Sequence, residues 1–363
     1  MDYQFTEFDS VDKQSWLSKI EADAKGRSIA DFDWQINDTI TQSPFIHPED
    51  STGKQASIQR GLDSNHWNIG VQVIVKDFEQ SNKEIITALE SGANELHIKI
   101  DGGVSRSDFD VLFRDVNCTY IQIYFEIKDE IQGKAIIENL IRYCKQQDQD
   151  LSKVAGGIYQ IGATSFESSR LFSAFKNSLP SFSFACVSTD ILFGYKETVV
   201  HEVASLLIGM VAILESETDY SSVYVNINVG KSYLLNISKI RAIHILINNL
   251  IKAYQSDMIV KVNAQLSDQS ITVEENHNLI QFTSQAMSAA IGGVAGLVLP
   301  ASDVKLDSGG TDFRNRLSRN IQSIMQLESF IDKVVDPAAG SYYIEKLTAE
   351  IAEQSWTYIQ NNS

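Results

Sequence analysis

A chain of 363 residues, 43% apolar and 21% charged, can build a large core: one barrel of about 250 residues plus an arm, or two to three average domains. Its formal charge of −17 excludes generic binding to nucleic acid or to an anionic membrane, because both need a cationic face that displaces counterions. The three cysteines, Cys118, Cys144 and Cys186, have no CxxC spacing, which argues against a disulfide frame or a zinc site and for a reducing compartment.

The opening MDYQFTEFDSVDKQSW is acidic and has no apolar run, so it does not read as a secretory signal. The longest apolar run, 204–214, is about half of what a bilayer requires. The expectation is a soluble, cytoplasmic protein. Residues 1–65 form an arm with Trp16, Trp34 and Phe45, and Trp67 follows just beyond it. Such an arm either covers its own barrel or wraps a partner subunit.

From residue 70 onward, β-branched runs recur at 71–76, 95–100, 119–127, 156–161, 182–188, 223–229, 258–266 and 296–300. Between them lie segments with apolar residues three and four apart, such as NKEIITALESG and VVHEVASLLIGMVAILES. Strands alternating with helices give right-handed βαβ units, and eight such units predict an α/β fold of the (β/α)8 TIM-barrel type over residues 66–340, followed by a C-terminal helix in 341–363. An open doubly wound sheet would carry a glycine-rich loop after its first strand, where this chain has KDFEQSN.

The strands alternate in polarity. The sixth sets Val223, Val225 and Ile227 against Tyr224, Asn226 and Asn228; the seventh sets Val260 and Val262 against Lys261, Asn263 and Gln265. The second sets Leu96, Ile98 and Ile100 against His97, Lys99 and Asp101. Since the apolar face must meet the helices, the polar face points into the barrel, where Glu126 is a further candidate. Buried charges need pairing or water. The lumen is therefore either a self-paired polar plug or a cavity for a long polar ligand.

No GxSxG elbow, HExxH pair or EF-hand loop is present. The run SGGTDFRNR after strand eight could cradle phosphate, or Thr311 could simply cap a helix with Asp312 in its first turn. The histidines do not pair at metal-ligand spacing: His97 faces the lumen, His201 and His244 lie in helices, and His47, His66 and His277 lie near loops.

The C-terminal run RLSRNIQSIMQLESFIDKVVDPAAGSYYIEKLT resembles the signature of the methylmalonyl-CoA mutase family through Arg316, Arg319, Asn320, Gln322, Glu328, Asp336, Pro337, Gly340, Ser341, Tyr342, Tyr343, Glu345, Leu347 and Thr348. The early run DWQINDTITQSPFIHPED resembles the entry of the family's small subunits. This resemblance implies a (β/α)8 barrel that threads a CoA ester along a polar core, next to a cobalamin domain, and isomerises methylmalonyl-CoA to succinyl-CoA with adenosylcobalamin. Within the signature, Pro337 is expected to stop a helix, Gly340 to permit a turn and Ser341 to cap the last helix.

Three departures modify what the resemblance implies. The sequence stops at Ser363 with no Asp-x-His-x-x-Gly loop, so no cobalamin site is expected in this chain. Ile191 falls where catalytic members carry histidine, and it cannot transfer a proton. Gln72 falls where they carry the substrate-contacting tyrosine, and Gly70 where they carry arginine. The implied role is the non-catalytic small subunit of a heterodimeric mutase, with adenosylcobalamin in a large-subunit partner and self-association when the chain is alone. Two alternatives stay open: an acyl-CoA mutase barrel served by a cobalamin protein in trans, and a CoA-ester-binding module.

Overall fold

The computed structural model describes residues 9–36, 40–50, 64–160, 165–189, 199–266, 272, 275–300 and 311–362. The barrel strands are β1 (Asn68–Val75), β2 (Glu95–Ile100), β3 (Gln122–Ile127), β4 (Ala155–Gln160), β5 (Phe182–Ser183 continued by Ala185–Ser188), β6 (Ser222–Val229), β7 (Ile259–Leu266) and β8 (Gly296–Val298). All pair in parallel, β8 returns to β1, and the ring closes through β5, whose first piece pairs with β4 and second with β6. The fold is a (β/α)8 barrel. A short strand at Ser165–Glu167 adds antiparallel to β5, a feature the βαβ pattern did not announce.

The strand edges differ from the sequence expectation for local reasons. β3 begins at Gln122 because Asn117 Oδ1 accepts the Thr119 N–H (3.0 Å) and holds that stretch in a turn, leaving Tyr120 82% exposed. β8 ends at Val298, two residues short of Pro300, which has no N–H to give a ladder.

The helices are α1 (Lys13–Asp23), α2 (Phe78–Glu90), α3 (Arg106–Leu112), α4 (Glu130–Gln146), α5 (Ser169–Phe175), α6 (Val199–Leu214), α7 (Tyr233–Ala253), α8 (Glu275–Gly292), α9 (Thr311–Leu327) and α10 (Tyr342–Asn362). Several starts are written in the sequence. Asp77 accepts the Gln80 N–H (2.7 Å), Asp129 accepts that of Gln132 (2.8 Å), and Ser105 and Asp108 form a reciprocal capping box.

The main core lies between sheet and helices. Leu96, Ile98, Ile123, Phe125, Val223, Val225 and Ile227 of the strands are fully buried against Ile85, Ile136, Leu140, Ile240 and Ile243. Each such aliphatic side chain contributes about 1.5–3 kcal/mol relative to exposure. Helices α6 and α7 are buried almost all round because α10 lies across both, which explains why their sequences lack a clean polar face.

In the arm, Trp16, Phe32 and Phe45 form their own small cluster with ring centroids 5.7–6.1 Å apart, while α1 buries no residue. Ile40 carries the arm into the main core. Among the described residues no helix is long and apolar enough to cross a membrane.

Candidate functional site in the barrel lumen

Partners in a parallel ladder face the same side of the sheet. Glu95, His97 and Lys99 of β2 are in register with Gln122, Tyr124 and Glu126 of β3 and, on the other side, with Gly70, Gln72 and Ile74 of β1. Tyr224, Asn226 and Asn228 of β6 are in register with Lys261, Asn263 and Gln265 of β7, and the last two of these with Gly296 and Val298 of β8. Since Leu96, Ile98, Val223 and Val225 face the helices, these rows line the lumen.

Glu95 is the hub. It is fully buried, and its Oε1 accepts hydrogen bonds from His97 Nε2 (2.7 Å) and from Asn263 Nδ2 (2.7 Å) across the barrel. The carboxylate lies against the backbone of β8: a methyl group on Gly296 would sit 2.4 Å from Glu95 Oε2, so only glycine leaves it room.

Aromatic rings fill the space around this hub. Tyr124 lies on Tyr224 with centroids 4.3 Å apart, His97 is 5.0 Å from Tyr124, and Tyr159 is 5.8 Å from Tyr224. All four residues are at most 5% exposed, so at this level the lumen is filled by its own side chains. Burial pushes the Tyr124 and Tyr224 phenols well above their ordinary 10.0, with the Glu95 carboxylate adding to the effect.

The two lumen lysines sit at opposite ends of this packing. At the strand starts, Lys261 donates to Gln122 Oε1 (3.2 Å), which also accepts the Tyr124 hydroxyl (3.0 Å); burial pulls the Lys261 ammonium below its usual value, and Glu95 opposes that. Toward the strand ends Lys99 pairs with Glu126 at 2.6 Å, and that hydrogen bond holds its ammonium above the ordinary range. Asn228 is buttressed from outside, where Lys239 of α7 donates to its carbonyl (2.7 Å) and to Glu202 of α6 (2.8 and 3.0 Å). Asn226 is buried beside it, and Gln265 is half-buried. Gln72 lies on the lumen side of β1 and is exposed; Ile191 and the glycine pair before Thr311 lie outside the described residues.

His97, Lys99, Lys261 and the asparagines are the lumen residues expected from the sequence; Glu95, Tyr124 and Tyr159 are additions that the structure makes. The same two-residue alternation that gave His97 places Glu95 on its face, and Tyr124 shares a face with Glu126.

The signature builds a second constellation, on the outside of the barrel. Asp336 pairs with Arg241 of α7, whose side chain is completely buried, and Glu345 Oε1 accepts from the same guanidinium at 2.7 Å. The Gly340 N–H also reaches Glu345 Oε1 (3.2 Å). Asp336 and Gly340 are both left-handed, at φ +52° and +85°, and this shapes the turn that aims both carboxylates at Arg241. Pro337 is an exposed member of that turn. Ser341 takes part through its backbone carbonyl, which accepts the Glu345 N–H (2.8 Å), and not as the side-chain cap that was expected.

At the other end of the signature, Arg316 and Asn320 are exposed on α9, whereas Arg319 and Gln322 are buried. Trp67 Nε1 donates to Gln322 Oε1 (3.2 Å), and Gln326 Nε2 donates to the Trp67 carbonyl (2.7 Å), which fastens α9 to the entry of β1. Both constellations brace elements of the fold against one another. Among the described residues no three His, Cys, Asp or Glu side chains converge as a metal-ligand set.

Residues 214–362, which carry β6 to β8, both ends of the signature and Arg241, match the sequence model of methylmalonyl-CoA mutase. Over that stretch the chain is similar to the methylmalonyl-CoA mutase family. The methylmalonyl-CoA mutase small subunit of Porphyromonas gingivalis is 25% identical over 97% of this chain and 63% of its own length. The methylmalonyl-CoA mutase of Rhizobium meliloti is 35% identical, and the large subunit from Porphyromonas gingivalis 32% identical, each over 36% of this chain and 19% of their own. The chain thus spans less than two thirds of the length of these family members. Its likeness to the small subunit runs along nearly its whole extent, while its likeness to the other two is confined to about a third.

Proposed function

We propose that this chain is the non-catalytic small subunit of a methylmalonyl-CoA mutase assembly, and that a large-subunit partner performs the isomerisation. The observation that carries this reading is the lumen. A family barrel that threads an acyl-CoA needs space along its axis, and here that space is occupied by Tyr124, Tyr159, Tyr224 and the Glu95–His97 pair, held to neighbouring strands by hydrogen bonds. Gln72 in place of a substrate-contacting tyrosine, and Ile191 in place of a proton-transferring histidine, support it. The near full-length likeness to a protein named as a small subunit supports it further, as does the existence of a large subunit in the same organism.

The described residues of the lumen do not fit adenosylcobalamin. His97, the lumen imidazole, is 3% exposed and bonded to Glu95, so it is unavailable as a cobalt ligand. We assign the cofactor to the partner. In this arrangement the small chain contributes a stable barrel face and the arm, with its aromatic cluster, for association.

The test is reconstitution. The purified chain with adenosylcobalamin and methylmalonyl-CoA is expected to give no succinyl-CoA, and a co-expressed large subunit is expected to co-purify with it in a fixed ratio. Turnover by the chain alone would overturn the reading. Titration of CoA into the chain by calorimetry, in excess inorganic phosphate so that simple anion binding is already saturated, is expected to give no further saturable heat; a saturable signal under those conditions would favour a CoA-ester-binding module instead.

A further inference from the structure

The seam between β8 and β1 is incomplete. β8 pairs with β1 only from Asn68 to Gly70, so the rest of β1, residues 71–75, runs past the end of that ladder. A cleft of about 270 Å3 opens there against α9, with Gln72, Lys76, Asn315, Arg319 and Gln322 on its walls and Glu84 of α2 at its rim. None of these residues belongs to the hydrogen-bond network centred on Glu95.

Gln322 gives the cleft a chemical preference. Its side chain is fully buried, and its Oε1 is occupied by the Trp67 indole N–H at 3.2 Å. That bond fixes which way the amide faces, and the Nε2 donor on the other side has no hydrogen-bond partner. Buried side-chain donors are nearly always satisfied in native proteins, so an orphan donor lining a cleft marks a place where an acceptor belongs. One helical turn away on the same face is Arg319, 5% exposed and permanently charged, with a guanidinium suited to oxyanions. Lys76 adds a positive charge at the exposed rim, which Glu84 opposes. The volume lies below the roughly 300–1,000 Å3 of pockets for drug-sized ligands, which suits a small ion or a short acid.

We propose that this cleft binds a small oxyanion, a phosphate or carboxylate group, with Gln322 Nε2 and Arg319 as its donors. The site lies at the open seam on the lumen side of β1, outside the hydrogen-bond network centred on Glu95, and is independent of whether the chain has a catalytic partner.

The experiment is calorimetric titration of the full chain with inorganic phosphate and, in a second arm, with acetate, each against chloride at matched ionic strength. Saturable binding with one ion per chain is expected from at least one anion. A preference for phosphate assigns the natural group as a phosphoryl, and a preference for acetate assigns it as a carboxylate. Gln322→Glu keeps an acceptor for Trp67 but turns the orphan donor into a negative charge, and it should weaken binding by roughly tenfold or more. Lys76→Glu, on the surface and harmless to folding, should weaken it several-fold. Absence of saturable heat with both anions, or unchanged affinity in Lys76→Glu together with an unchanged or unfolded Gln322→Glu, overturns the proposal.

Discussion

Replacing Asp336 by asparagine tests whether the signature turn is a clamp on Arg241. Asparagine tolerates the left-handed φ of +52° at this position, so the substitution removes a charge without straining the backbone. Arg241 is completely buried, with Asp336 on one terminal nitrogen and Glu345 on the other at 2.7 Å. Stripping a buried charge of its counter-charge costs about 3–5 kcal/mol. In Asp336→Asn the Glu345 carboxylate still compensates, so the loss should be about 2 kcal/mol. In Asp336→Asn with Glu345→Gln no counter-charge from the signature remains, and the loss should reach the full range of about 3–5 kcal/mol. Equilibrium urea denaturation measures both values. Hydrogen exchange should also show α10 losing protection first, because Arg241 fastens its start to α7. A single substitution within about 0.5 kcal/mol of the parent, the range of an ordinary surface change, would refute the clamp.

Gly296→Ala forces a methyl to within 2.4 Å of Glu95 Oε2 and 2.6 Å of Asn263 Nδ2, and should cost about 1–3 kcal/mol or more by overpacking, while Gly103→Ala, with nothing within 4 Å, should be neutral in the same denaturation assay. The Tyr124 and Tyr224 phenols are held above 10.0 in the fold, so above pH 10 only the unfolded chain ionises them; stability should fall as pH rises there, and Tyr124→Phe with Tyr224→Phe should flatten the decline. Lys261 has the opposite sign: its folded pKa is depressed, the unfolded chain binds the extra proton, and stability should gain as pH rises toward 10.5, a gain that Lys261→Met removes. Both slopes are read from denaturation midpoints across alkaline pH.

The order of strands and helices was legible because it depends on local periodicity. Alternation along β2, β6 and β7 gave the lumen face, and three- and four-residue spacing gave the helices around it. The resemblance of the last third to the methylmalonyl-CoA mutase family was legible without any geometry. Local patterns do not report a strand broken at Phe184 or the added strand at Ser165–Glu167, since both follow from how β5 must bridge β4 and β6 to close the ring. The sequence also left the lumen undecided between plug and cavity, because a polar face looks the same whether it is wet or self-paired.

What the sequence determined by itself, then, is the barrel, the polarity of its two faces and the resemblance of its last third to one family. Tertiary structure decided which polar groups meet. Glu95 finds Asn263 across 168 residues, and Arg241 finds Asp336 across 95; neither pair shares an element or a local pattern. The physical reason is that periodicity fixes the direction a side chain leaves its strand or helix, whereas pairing depends on closure of the ring and on where α10 comes to rest. Only after closure does Gly296 become a necessity and the signature turn a lock on a buried arginine.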